Sequence, residues 1–181
     1  MSTSTDSPSL DDLTEISYLD ENGKLPASLS GKIGVYAIFD EAKILQFVGY
    51  SRDVYLSLKQ HLVRQPQSCY WLKVQTIEKP NRTILENTMN AWIAENGTIP
   101  VGNDADKTKW TEAIDVKSLM TDEEKANYEK AAGEELAQSK VLKNVARRVE
   151  SEILETLKTR NCQEEIRFNP KLKENGLLDL K

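Results

Sequence analysis

The chain has 181 residues, 39% of them hydrophobic and 29% charged, with 29 acids against 24 bases for a net charge of -5. That length buries a core without staples, and the two cysteines, Cys69 and Cys162, are far apart with no CxxC or Cys/His spacing, which argues against a disulfide framework or a zinc site. No apolar run approaches the roughly 20 residues of a membrane span, and the acidic balance excludes a surface built wholly to hold nucleic acid by charge.

The first nine residues, MSTSTDSPS, are rich in Ser and Thr and predict disorder. They lack the basic start and apolar stretch of a signal peptide and the arginines of a transit peptide, so a cytoplasmic protein is expected. Leu10, Leu13, Ile16 and Leu19 recur at three-residue steps behind Ser9, which predicts a short acidic helix over 9–20, ended by Glu21-Asn22-Gly23. Residues 1–30 hold six acids and one base and carry most of the negative charge; residues 31–103 hold eight bases and six acids.

Ile33 to Phe39 is a β-branched and aromatic run after Gly31, and predicts a strand. Asp40 to Lys43 makes a tight connection to a second strand from Ile44 to Val48, giving a hairpin. Asp53 is the N-cap of a helix to Arg64, with Val54, Leu58 and Leu62 on its core face and Ser57, His61 and Arg64 on another. Residues 69–77 read as a third strand. Pro80 to Thr83 open a second helix with Leu85, Met89 and Trp92 on its apolar side, Asn96-Gly97 ends it, and Ile99 to Asn103 is an extended exit.

Residues 104–120 wrap back with Trp110 and Ile114 as anchors. Thr121 to Glu124 is a capping box opening a helical region to Arg160, broken near Gly133, with Leu142, Val145, Val149, Ile153 and Leu157 as one stripe. The polar tail ends on Leu177, Leu178 and Leu180, which either dock on their own protein or supply a binding peptide for another. The organisation expected is a disordered acidic segment with a short helix (1–30), a small domain (31–103) and a mainly helical extension (104–181).

Taken in order, Gly34-Val35-Tyr36, Phe47-Val48-Gly49, Ser51, the helix with His61, and Glu86 on the next helix resemble the GIY-YIG nuclease family over about two-fifths of the chain. The wording GVYAIFD, LQFVGYSRD, QHLVRQP and AWIAENG looks most like a cyanobacterial and plastid subgroup. The resemblance implies an α+β fold, a small antiparallel three-stranded sheet flanked by helices. It implies Tyr36 as the activator of water, His61 as a further catalytic residue, Glu86 as the ligand of Mg2+ or Mn2+, and Gly49, Ser51 and Asn103 as substrate-binding positions. Phe47 stands where the family has a second tyrosine, and Ser57 where it has an arginine. Arg52 and Arg64 are the nearest cations that could replace that arginine, a group commonly worth about 10³-fold or more in phosphoryl transfer. The resemblance thus implies a catalytically impaired domain used to bind protein or structured nucleic acid. A divalent-metal-dependent endonuclease is the alternative, and a helical assembly scaffold with an inert cleft is the third reading. Read from the residues alone, Tyr36 is a packing residue, Glu86 a surface carboxylate, and His61 a hydrogen-bonded side chain on a half-buried helix face.

Overall fold

The strand expected at Ile33–Phe39 (β2) becomes the middle of a sheet, because both of its faces are apolar enough to be covered. In the computed structural model, which describes residues 7–181, the chain divides into two units, 1–111 and 112–181.

In the first unit β2 pairs on one side with β3 (Leu45–Ser51) and on the other with β4 (Trp71–Ile77), and β4 takes the short β1 (Ile16–Ser17) on its far edge. The order is β1-β4-β2-β3 and every pairing is antiparallel. The sheet therefore has four strands where three were expected. The extra strand comes from the segment predicted as a helix over 9–20. Its three-residue apolar steps fit a 3-10 turn and an extended chain better than a 3.6-residue period. Leu10–Asp12 forms that turn, Leu10 enters the core, and Ile16 lies opposite Leu72.

Nor are residues 7–30 a disordered acidic segment. Trp92 Nε1 donates to the carbonyl of Pro8 at 2.9 Å, Ser7 and Thr88 share a hydroxyl hydrogen bond at 2.9 Å, and the fully buried Tyr18 donates its hydroxyl to the carbonyl of Leu58. Disorder expected for residues 1–6 lies outside the described residues.

The hairpin between β2 and β3 turns through Asp40 to Ile44, with Lys43 at φ 66° and the Asp40 carboxylate accepting from the Ile44 amide. Helix α1 (Val54–Arg64) begins at Asp53, which accepts from the Leu56 amide, and buries Val54, Leu58 and Leu62 completely. Each such side chain is worth about 1.5–3 kcal/mol in apolar burial. α1 covers the face of β2 that carries Tyr36, while α2 (Arg82–Asn96) sends Leu85 and Trp92 against Val35 and Ala37 on the opposite face. Gly97 at φ 85° closes α2. The exit beyond it is a 3-10 turn, Val101–Asn103, rather than extended chain, and leads to α3 (Lys107–Thr111).

In the second unit β5 (Ile114–Asp115) pairs with β6 (Leu177–Leu178), so the late leucines dock on their own unit, with Leu178 fully buried. A 3-10 turn, Val116–Leu119, precedes α4 (Asp122–Lys130), whose capping box forms as read from Thr121 and Glu124. Gly133 at φ 87° separates it from α5 (Glu135–Thr159), which buries the predicted stripe, and α6 (Pro170–Lys173) follows. Among the described residues no helix is long and apolar enough to cross a membrane.

Candidate functional site

A cleft of about 680 Å³ opens in the first unit where β2, β3, α1, α2 and the segment 99–111 meet. Its floor is a pair of side chains from different elements. The hydroxyl of Tyr36 on β2 lies 2.7 Å from Nε2 of His61 on α1, and both residues are buried. Burial is the main cause of two opposed shifts. It lowers the His61 imidazole to about 3, with the Arg64 cation adding to the effect and the Trp110 carbonyl opposing it. It holds the Tyr36 phenol well above its usual range, with Ser57 and Arg64 acting against it. The pair is therefore neutral at ordinary pH. Tyr36 and His61 share one hydrogen bond through Nε2, while the buried Nδ1 makes none.

Phe47 on β3 fills the space beside this pair. Its ring stacks on Trp110 at 5.3 Å and 4° and lies 4.7 Å from the His61 ring. A hydroxyl at Phe47 is thus replaced by apolar stacking. Gly49 sits opposite Tyr36 across the strands, and a Cβ there would stand 2.6 Å from the Phe47 ring and 2.9 Å from the Tyr36 hydroxyl. Gly49→Ala is expected to cost about 1–3 kcal/mol by overpacking and to move the His61 ring resonances. An unchanged denaturation midpoint would count against this geometry.

Ser57 donates to Ser51 at 2.7 Å, and Ser51 exchanges hydrogen bonds with the backbone of Asp53, so the two serines tie the β3–α1 corner together. Arg64 lines the cleft and gives Nη1 to the Trp110 carbonyl at 3.1 Å; Arg52 is exposed and lies off the lining. Asn103 also lines the cleft, but its carboxamide is engaged with the backbone of Val48, accepting at 2.8 Å and donating at 2.7 Å. Glu86 accepts from Arg82 at 2.7 Å and from Tyr50 at 3.2 Å, and the Arg82 hydrogen bond leads in holding its carboxyl below the usual range. No group of three His, Cys, Asp or Glu side chains suited to a metal ion occurs among the described residues. With Glu86 already paired and alone, the donor set does not fit Mg2+ or Mn2+.

Tyr36, Gly49, Ser57, His61, Arg64 and Asn103 therefore meet at one cleft, while Glu86 stands at its rim. Gln60, Asn90 and Lys107 also line it. Sequence reading missed these three, since nothing in their spacing marks them before α2 and α3 are placed. Trp110, expected as an anchor, packs behind the lining residues Phe47 and His61.

Fold and cleft together define an α+β domain with an antiparallel sheet, a neutral buried tyrosine–histidine pair and an open pocket of mixed polar and apolar lining. No family model matches the chain. Among curated proteins the chain is similar to a bifunctional monothiol glutaredoxin-S16, chloroplastic, of Arabidopsis thaliana, 35% identical over 94 residues, half of this chain and 31% of that protein. The chain thus spans less than a third of the length of the relative it matches.

These findings overturn the family expectation. The match is described as a glutaredoxin and not as a GIY-YIG nuclease. The readings that rested on that family go with it: the impaired nuclease-derived binder, the metal-dependent endonuclease and the inert-cleft scaffold. The relative's chloroplast description also gives no support to a cytoplasmic location. At this coverage the likeness does not make the chain a glutaredoxin. The chain has no CxxC, and its main sheet lacks the parallel crossover of a βαβ unit that accompanies such a motif.

Proposed function

We propose that this chain is a small-anion-binding module that accompanies thiol-redox function without carrying the redox thiol. One observation carries the binding half. The charged residues along the cleft are Arg64 and Lys107, and no lining residue is a carboxylate, in a chain where acids outnumber bases. Such a cleft concentrates positive potential against the sign of the whole molecule. Gln60, Asn90 and Tyr50 add neutral hydrogen-bonding groups, and Met89 and Ile93 add apolar wall, which suits an anion with a planar or apolar body.

The redox half rests on the description of the relative. Its restriction to an accessory role rests on the cysteines. A reactive thiol is accessible and lies near cations or a helix N-terminus. Cys69 is fully buried with its thiol 3.6 Å from the His61 carbonyl, and Cys162 follows the C-terminal end of α5.

The test is an NMR titration of the full chain with benzoate and benzenesulfonate, with benzamide as neutral control. Both anions are expected to shift the amides of Tyr36, Gly49 and Lys107, and Lys107→Met to weaken them about two- to fivefold, the worth of an exposed ion pair. An equal response to benzamide, or none to the anions, overturns the binding half. Thiol–disulfide exchange by the chain alone that disappears in Cys162→Ser overturns the accessory role.

A further inference from the structure

In the second unit, α4 is attached in an unusual way for a helix of its length. None of its residues is buried, and only Glu124 and Tyr128 are even half covered. A surface helix ordinarily holds its place by an apolar stripe, and the sequence DEEKANYEK has none. Its hold on α5 is a guanidinium instead. Arg148 gives Nε to both carboxylate oxygens of Glu124 at 3.1 and 3.0 Å, and Nη2 to Glu124 Oε1 at 2.8 Å. The same Nη2 reaches the carbonyl of Leu119 at 2.8 Å, while Nη1 reaches Glu152 at 2.7 Å. One side chain on α5 thus joins the turn before α4, α4 itself and its own helix.

Other contacts are thin: the Gln138 amide reaches the Tyr128 carbonyl at 3.5 Å, and Lys117 stands 6.0 Å from the Tyr128 ring. The segment is firmly fixed on either side. Before it, Val116 is fully buried and its amide donates to the Gly176 carbonyl at 2.9 Å. After it, Gly133 in the left-handed region leads into α5, with the intervening Ala131 buried.

We infer that α4 is a strap latched by Arg148, which opens as a unit between Val116 and Ala131 while α5 stays folded. The latch is made of charge that remains about one-third exposed on the arginine side and one-fifth on the glutamate side, so salt and competing anions reach it. Opening leaves the fork of Arg148 free for a carboxylate of another molecule, which makes the strap a charge-sensitive element rather than a fixed part of the core.

Native-state hydrogen exchange on the full chain tests this. In Arg148→Met, and in the native protein at 1 M NaCl, the amides of 125–130 are expected to lose at least tenfold in protection while those of Ile153–Leu157 keep theirs. Arg148→Lys, which keeps the charge and loses the fork, is expected to fall between. If α4 and α5 lose protection together, the second unit is one cooperative body and the strap does not exist. If α4 stays as protected in Arg148→Met as in the native chain, the latch is not Arg148.

Discussion

Trp110→Ala is expected to cost the first unit about 3–5 kcal/mol, the range for removing a buried tryptophan. The side chain is 1% exposed, lies parallel to Phe47, and faces His61 at 5.7 Å. Gly102 packs so closely beneath it that a Cβ there would stand 2.9 Å from the indole. The void left by alanine borders the imidazole, so water enters and the burial that suppresses His61 protonation is relieved. Two readouts therefore move together: the hydrogen-exchange protection of Leu58 to Leu62, and the titration of the histidine ring. Trp110→Phe restores most of the first. A loss below about 1 kcal/mol would mean that Trp110 does not pack behind the cleft.

His61 gives the second large effect, through pH. The unfolded chain has an ordinary histidine near 6.5, while the folded one is lowered to about 3 by burial first and by Arg64 second. Between those values the unfolded state binds the extra proton. Stability from the neutral imidazole is thus complete above about pH 6.5 and is lost as pH falls toward 3, with a slope approaching 1.4 kcal/mol per pH unit, to order of magnitude. Carboxylates contribute in the same range, so the measure is the difference between the native chain and His61→Gln. That difference is expected to be flat above pH 7 and to shrink below pH 6. Because His61 is the only histidine, its ring resonances report directly, and a midpoint near 6.5 would contradict the buried neutral pair.

Much of the frame was legible because local chemistry and tertiary structure agree. The β2–β3 hairpin follows from two strand-forming runs around Asp40 to Lys43, α1 from the cap at Asp53, and α4 from the box of Thr121 and Glu124. The N-terminal segment was misread because four apolar residues at steps of three resemble a helix face until Leu72 offers a partner to Ile16. At the site, Tyr36 and His61 come from different elements, and their meeting is decided by α1 packing on β2. Sequence could place both near one cleft through a resemblance, yet the comparisons do not uphold the family behind it. What residue identity could not show is burial, and burial is what turns a pair with catalytic residue types into a neutral floor. Ser57 shows the same limit: its identity announced a missing cation, whereas its bond to Ser51 explains what it does.

The engagement of Asn103 with Val48 has a consequence for how this protein behaves at high concentration. β3 is the outermost strand of its sheet, and an outermost strand offers its amides and carbonyls as a template to any passing chain. Natural sheets commonly discourage this with lysine, proline or a bulge. Here a side-chain carboxamide meets both backbone groups of Val48, acting as the stub of a fifth strand that can extend no further. With Gly102 close against the Gln46 carbonyl as well, the outer edge of β3 is closed by the segment that follows α2 rather than guarded by the charge of the strand.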